Sequence, residues 1–377
     1  MKESVFVHNK KKININLSFF VKDKVFTISL LLAIASCFIH RPKLEYVNIH
    51  VLVSLFNLML AIKALDEIRV LDKIAISIVS RCNNSKSVSA ILIFLCFFSS
   101  MVVTNDVALM TFVPLTLVIS RRTSTPMMET IILQTIAANI GSSLTPMGNP
   151  QNLFIYSHYG LKPMAFFITV FSVAVLGIVS LYFLIHRFHG KQLKVELVSI
   201  QIEDRKSLKI WSLVLAIIIA SIFGVISYQI PFLVTLITAI LLNKNLLLKI
   251  DYLLLLTFIC FFIFIGNISH TNAVQAVANA SLNDSGSVYF SSILLSQLIS
   301  NVPASILLAE FTTDWKPLLL GVNIGGLGTI IASMASVISY KLFIQVYPEE
   351  TKNYLLTFSI YNFSFLALFT FIQYFNL

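Results

Sequence analysis

Apolar runs of about 20 residues recur along the chain from residue 24 onward, separated by short polar stretches. A helix of this length crosses a hydrocarbon core of ~30 Å. The pattern predicts membrane helices over 24–40, 45–62, 163–186, 209–227, 230–242, 250–266 and 352–376, and broken helices over about 126–158 and about 316–341. We therefore expect an all-α polytopic membrane protein.

Two apolar segments do not fit a single crossing. Residues 88–120 contain no Lys or Arg, are too long for one membrane helix, and have basic residues at both flanks. Both ends then belong on the same side of the membrane, which predicts a re-entrant hairpin with its tip at Thr104-Asn105-Asp106. A second hairpin is predicted over about 287–313, with its tip near Ser300-Asn301.

Composition and charge agree with this class. Of 377 residues, 57% are hydrophobic and 12% are charged, whereas soluble domains carry about 25% charged residues. The net charge of +10 would suit a nucleic-acid binder, but the Lys and Arg residues lie mainly between the apolar runs. Their distribution predicts a multi-pass cell-membrane protein with a cytoplasmic N-terminal tail, 1–23. Amphipathic segments over 63–80 and 268–283 are expected on the two membrane surfaces.

The two halves of the chain contain the same elements in the same order. Residues 24–186 form the first repeat, 187–229 a cytoplasmic loop and linker helix, and 230–377 the second repeat. Thr104-Asn105-x-x-Ala108 matches Ser300-Asn301-x-x-Ala304, and Asn139-Ile140-Gly141-x-x-x-Thr145 matches Asn323-Ile324-Gly325-x-x-x-Thr329. The number of predicted crossings gives the second repeat the opposite orientation in the membrane to the first, so we expect inverted repeats.

Proline and glycine interrupt the first broken helix, and glycine alone interrupts the second. Residues 141–152 hold two prolines and two glycines, and residues 321–329 hold four glycines. Unwound backbone at membrane depth is tolerated where it is buried in protein or lines a polar cavity. Broken helices in inverted repeats are typical of a secondary-transport site at the bilayer midplane.

Polar residues at the hairpin tips and helix breaks are the candidate site. The predicted substrate-binding residues are Asn105, Asn139, Gly141, Thr145, Asn301, Asn323, Gly325 and Thr329, and the predicted ion-coupling residues are Thr104, Asp106, Asn149 and Ser300. Other roles are open: Asp106 as a helix N-cap, the asparagines as interhelical hydrogen-bond partners, and the threonines as donors to their own helices. The sequence contains no catalytic or metal-binding constellation, which argues against an enzyme, and predicts no cofactor beyond a coupling Na⁺ or H⁺.

Four motifs carry a resemblance to the ion-transporter superfamily. They read Thr-Asn-Asp-Val-Ala-Leu at 104–109, Thr-Pro-Met-Gly-Asn-Pro-Gln-Asn at 145–152, Ser-Asn-Val-Pro-Ala at 300–304 and Asn-Ile-Gly-Gly-Leu-Gly-Thr at 323–329. The chain most resembles the citrate-transporter-like anion permeases, which are related to arsenite permeases, sodium/proton antiporters and divalent-anion/sodium symporters. The resemblance implies two inverted repeats and movement of one domain against a scaffold, and its members are often homodimers.

The resemblance also implies a function. Asn105 and Asn301 match asparagines of Ser-Asn-Thr motifs that, in the divalent-anion symporters, contact substrate carboxylate and sodium. Here the third hydroxyl is absent from both motifs, which weakens a dicarboxylate assignment and the matching sodium sites. We expect secondary active transport of a small anion or oxyacid, coupled to protons or sodium. The alternative is a cation/proton antiporter in which Asp106 is the ion ligand.

Overall fold

The computed structural model describes residues 24–193, 200–202 and 204–377, and its secondary structure is almost entirely α-helical. The predicted tail 1–23 lies outside the described residues. The helices are α1 Lys24–Cys37, α2 Ile49–Glu67, α3 Val70–Val79, α4 Ser85–Val103, α5 Asn105–Thr123, α6 Met128–Ser142, α7 Pro150–His158, α8 Pro163–His186, α9 Arg205–Ile222, α10 Gln229–Asn243, α11 Tyr252–Ile268, α12 Asn272–Ser281, α13 Ser285–Ile299, α14 Asn301–Ala309, α15 Trp315–Gly325, α16 Met334–Val346 and α17 Thr351–Tyr374.

Length and composition qualify several of these helices as membrane spans. Among the described residues, Ile49–Glu67, Ser85–Val103, Pro163–His186, Gln229–Leu248 and Pro348–Tyr374 are long and apolar enough to cross a bilayer. The pair α11 and α12 passes the same test together but is bent by 92°. Large apolar side chains such as Phe171 and Phe183 of α8 are exposed on the outside of the helix bundle, as lipid contact requires. The predicted fold class, an all-α polytopic membrane protein, is confirmed.

The predicted surface segment 63–80 begins too early. Helix α2 continues without interruption to Glu67, stabilised near its end by an ion pair between Lys63 and Asp66 (2.8 Å). The chain breaks at Arg69, whose backbone is left-handed (φ 61°), and the short amphipathic helix α3 starts at Val70. The charged residues that suggested a surface helix therefore belong partly to the end of a membrane helix.

Other predicted boundaries shift in the same way. The span predicted over 209–227 is helix α9, Arg205–Ile222, and the broken helix predicted over about 316–341 extends to Val346. The second hairpin predicted over about 287–313 has unequal arms, since α14 ends at Ala309. Segment ends are the places where hydropathy changes gradually, so the apolar pattern fixes them least well.

Both hairpins reverse direction at the residues that the sequence predicts. Helices α4 and α5 pack against each other and meet at Thr104, and α13 and α14 do so at Ser300. Thr104 has φ 75° and ψ 154°, and Ser300 has φ 75° and ψ 152°. A positive φ at a non-glycine residue is strained and persists where surrounding contacts fix it. The two tips thus have the same unusual backbone geometry.

Each broken helix packs on the first arm of its own hairpin, with a glycine at the contact. Helix α6 lies on α4 and α15 lies on α13. A Cβ atom at Gly141 would stand 2.1 Å from the carbonyl oxygen of Phe97, and one at Gly325 would stand 2.7 Å from Cβ of Ser296. These close approaches bring the ends of α6 and α15 beside the two hairpin tips.

Candidate functional site

Each hairpin tip lies against the unwound segment of its own half. The backbone N–H of Asn105 donates to the carbonyl oxygen of Gly148 in the first break (3.1 Å). In the second half, the amide nitrogen of Asn301 lies over Gly326, where a Cβ atom would be 2.8 Å away. Both asparagines are buried. The structure therefore brings the predicted tip and break residues together.

Five buried asparagines connect the two halves, and we call them the asparagine cluster: Asn105, Asn139, Asn149, Asn152 and Asn323. Asn105 Nδ2 donates to Asn139 Oδ1 (3.2 Å), and Asn139 Nδ2 donates across the halves to the carbonyl oxygen of Gly326 (3.3 Å). A second bridge runs from Asn149 Nδ2 to Asn323 Oδ1 (3.1 Å). Amide groups here donate hydrogen bonds to one another and to a backbone carbonyl.

Asn152 holds the first unwound segment, a role that the sequence analysis did not assign. Its Nδ2 faces the carbonyl oxygens of Ser142 (3.3 Å), Ser143 (3.0 Å) and Thr145 (3.1 Å). Its Oδ1 accepts a hydrogen bond from Asn323 Nδ2 (2.7 Å). One side chain therefore satisfies freed backbone carbonyls and ties the first break to the second half. The signal in the sequence was its position at the end of the Asn-Pro-Gln-Asn run.

Gln297 does the same for the second break and was also missed. Its Nε2 donates to the carbonyl oxygens of Gly325 (2.7 Å) and Leu327 (2.9 Å), and its Oε1 accepts from the backbone N–H of Thr329 (2.8 Å). Gln297 sits in the last turn of α13, so it ties the second break to its hairpin. Its partners are about 30 residues away along the chain, beyond any local pattern.

The predicted threonines and glycines have supporting positions. Thr145 Oγ1 donates to the carbonyl oxygen of Met101, and Thr329 Oγ1 donates to that of Gln297 (3.2 Å). Each acceptor lies three residues before its hairpin tip, so both hydroxyls cap the end of a first arm. Gly141 and Gly325 lie at the helix contacts described above. A direct substrate contact of these four residues stays a prediction.

Asp106 has an incompletely paired carboxyl group. It lies in the first turn of α5, and its Oδ1 is buried without a hydrogen-bond partner among the described residues. The N-cap position belongs to Thr104, so the alternative interpretation of Asp106 as the N-cap is wrong. A buried carboxylate is costly unless it is paired. The carboxyl group is thus chemically suited to bind a proton or a cation.

Two of the other predicted ion-coupling residues, Asn149 and Ser300, already form hydrogen bonds, whereas Thr104 forms no side-chain cap bond at the start of α5. Asn149 is the N-cap of α7 and accepts from the backbone N–H of Asn152 (2.9 Å). Ser300 Oγ donates to the carbonyl oxygen of Ala332 (3.3 Å). The ion pairs Lys63–Asp66, Arg69–Asp72 and Lys249–Glu67 do not include Asp106. The segments 88–120, 126–158, 287–313 and 317–340 contain no Lys or Arg, so neutral groups dominate the site.

An all-α membrane fold with two hairpins and two broken helices around buried amides defines a membrane transporter. The chain belongs to the citrate transporter family, whose sequence profile matches residues 19–335. This confirms the resemblance to the ion-transporter superfamily.

Individual relatives agree with the family. The chain is 37% identical to the uncharacterized transporter MJ0456 of Methanocaldococcus jannaschii over 293 residues, which is 77% of this chain and 79% of that protein. It is 30% identical to the inner membrane protein YbiR of Escherichia coli over 334 residues, 85% of this chain and 88% of that protein. A Dictyostelium discoideum protein that carries the name arsB is 31% identical over 112 residues, 29% of this chain and 20% of that protein.

Proposed function

We propose that the protein is a secondary active transporter of a small anion or oxyacid across the cell membrane. Its two halves are inverted repeats, its N-terminus is cytoplasmic, and its substrate site lies at the midplane between the hairpin tips and the helix breaks. The observation that carries the proposal is the asparagine cluster, which joins two unwound segments from opposite halves through buried hydrogen bonds.

Neutral N–H donors favour an anion or a polar oxyacid at this site. Asparagine amides and the backbone N–H groups at the starts of α5 and α14 bear partial positive charge and suit oxygen ligands. The Asn301 amide forms no side-chain hydrogen bond to another residue of the described chain, so its N–H groups are free for a ligand. Without a Lys or Arg, affinity depends on charge supplied by a co-transported cation.

The amide bonds between the halves also support a mechanism. Asn139 and Asn149 donate hydrogen bonds directly to the second half. A bound oxyanion would compete for the same N–H donors, so substrate binding exchanges protein–protein bonds for protein–substrate bonds. Such an exchange lets the hairpins and breaks move relative to the remaining helices without leaving buried amides unpaired.

The second candidate is cation/proton antiport, and Asp106 is the observation that favours it. An unpaired buried carboxyl oxygen is a hard ligand for sodium and a site for a proton. In an antiporter, the two cations would compete for Asp106 and no anion would be moved.

Transport by the purified protein in proteoliposomes tests both candidates. Citrate, smaller carboxylates, arsenite, phosphate and sulfate are offered under a pH gradient and, separately, under a sodium gradient. Accumulation of at least one anion or oxyacid supports the proposal. Sodium transport that is driven by a pH gradient, with no accumulation of any of these compounds, would instead establish the antiporter.

A further inference from the structure

Helix α16 and its N-cap residue, Ser333, carry a row of buried serines that the proposed substrate site does not use. Ser333, Ser336 and Ser339 are spaced by three residues and are each no more than 1% exposed. Ser336 and Ser339 lie one turn apart on one face of the helix, and Ser333 precedes them at its start. Helix α16 packs on α5 and α6, so the serine face is enclosed between the two halves.

Two of these serines have partners that extend the row in both directions. Ser333 Oγ donates to Asn139 Oδ1 (3.0 Å), which joins the row to the asparagine cluster. At the other end, Ser339 Oγ lies 2.7 Å from Thr135 Oγ1 and 3.1 Å from the hydroxyl of Tyr354. We call Ser333, Ser336, Ser339, Thr135 and Tyr354 the hydroxyl track.

The central serine is the unpaired member of the track. Ser336 Oγ is fully buried and has no hydrogen-bond partner among the described residues. Buried polar groups in proteins are nearly always paired with protein or ordered water. Ser336 lies one turn from Ser333 and one turn from Ser339, so a water molecule bound to it would connect the two paired ends.

The far end of the track lies near the end of α5, where the basic residues Arg121 and Arg122 are; we call this region the basic end. Tyr354 is in the first turn of α17, beside Tyr340. The end of α16 contacts the basic end of α5: Ser120 Oγ is 3.2 Å from the Tyr347 hydroxyl, and Arg121 lies over the Tyr347 ring at 6.0 Å. The other charged groups on these packed helices are Asp106 and Arg122 of α5, Glu129 of α6, and Lys341 and Lys352 of α16 and α17.

We propose that the hydroxyl track carries the coupling proton between the substrate site and the basic, cytoplasmic end of the protein; this rests on the proposed transport function. The O–H bond of the Asp106 carboxyl group breaks in the substrate site, and its proton passes to Ser333, the member of the track that bonds the asparagine cluster. Each hydroxyl then accepts one proton and gives up another. Tyr354 is itself buried, so it gives up its proton on the side of the half-buried Tyr340, and the proton leaves to solvent from there. The hydroxyls end unchanged, and Asp106 is left ionised for the next cycle.

The experiment compares accumulation with exchange in proteoliposomes. Ser336→Ala removes the central hydroxyl and leaves the asparagine cluster intact. Accumulation of anion under a pH gradient should fall by about tenfold or more, because the proton must leave the site in every net cycle. Exchange of internal for external substrate should stay near the wild-type rate, because it needs no net proton movement. Ser339→Ala and Tyr354→Phe should show the same separation.

Ser292→Ala is the matched control, since the buried Ser292 hydroxyl donates only to its own helix, at the Val288 carbonyl (2.7 Å). It should leave both activities unchanged. Normal pH-driven accumulation by Ser336→Ala and Ser339→Ala would overturn the proposed proton path but not the proposed transport function. Wild-type accumulation driven by sodium alone would overturn it as well. A wild-type protein that moves no anion under either gradient would overturn the proposed function together with the track.

Discussion

Asn301 differs from Asn105 in that its amide group is free, although the two asparagines occupy matching hairpin tips. Asn105 donates to Asn139 and accepts from the backbone N–H of Asp106 (3.0 Å). Asn301→Ala should therefore abolish uptake with little loss of stability, whereas Asn105→Ala should abolish uptake and destabilise the protein by about 1–3 kcal/mol through unpaired buried groups. Uptake and thermal unfolding in detergent measure the two effects. Asn353→Ala, at an exposed surface position, is the control, and normal uptake by Asn301→Ala would remove that residue from the site.

The carboxyl group of Asp106 is where the transport hypotheses differ most. Asp106→Asn keeps the shape of the side chain but cannot exchange a proton. If Asp106 couples transport to protons, the variant should lose pH-driven accumulation and keep substrate exchange. If Asp106 is a sodium ligand, sodium-dependent binding should be lost instead. Normal accumulation under both gradients would show that coupling depends on the asparagines and the unwound backbone alone.

At the scale of elements, the glycine contacts between broken helices and hairpins are the most constrained feature. A side chain at Gly141 would meet the backbone of Phe97, which cannot move aside as a flexible side chain can. Gly141→Ala should force α6 away from α4 and destabilise the protein by about 1–3 kcal/mol or more, because overpacking strains a dense interior. Thermal unfolding measures the loss. Gly190→Ala is the control, since the nearest atom to its Cβ is 3.6 Å away, and an equal effect of both substitutions would contradict this explanation.

The sequence predicts these elements better than it predicts their contacts. Basic residues on both flanks of 88–120 locate the first hairpin, and the asparagines at 105 and 301 mark tips that the structure places at Thr104 and Ser300. Prolines at 146 and 150 and glycines at 326 and 328 locate the breaks. In contrast, Asn152 and Asn323 are 171 residues apart. Their pairing depends on how the halves pack, so local patterns did not reveal the roles of Asn152, Gln297 or the serine face of α16.

For the whole molecule, matching elements support an internal repeat, and the inversion of the second half stays a prediction. The tips share one backbone geometry, the glycines of α6 and α15 pack on matching arms, and Thr145 and Thr329 donate to matching carbonyls. The halves have also diverged, since α14 is shorter than α5 and different amides hold the two breaks. When two repeats meet around one substrate site, rocking of one repeat against the other can open that site first to one side of the membrane and then to the other.

The orientation of the two halves gives a test that does not depend on the substrate. Gln201 lies in the basic loop before α9, which the charge distribution places in the cytoplasm, and Asn279 lies in α12, which an inverted second half places outside. In a background without Cys37, Cys82, Cys96 and Cys260, Gln201→Cys should react with an impermeant thiol reagent only in inside-out vesicles. Asn279→Cys should react only from the outside of intact cells. Reaction of both positions from the same side would rule out the inverted arrangement, because a second half of equal orientation would put α12 on the same face as the basic loop.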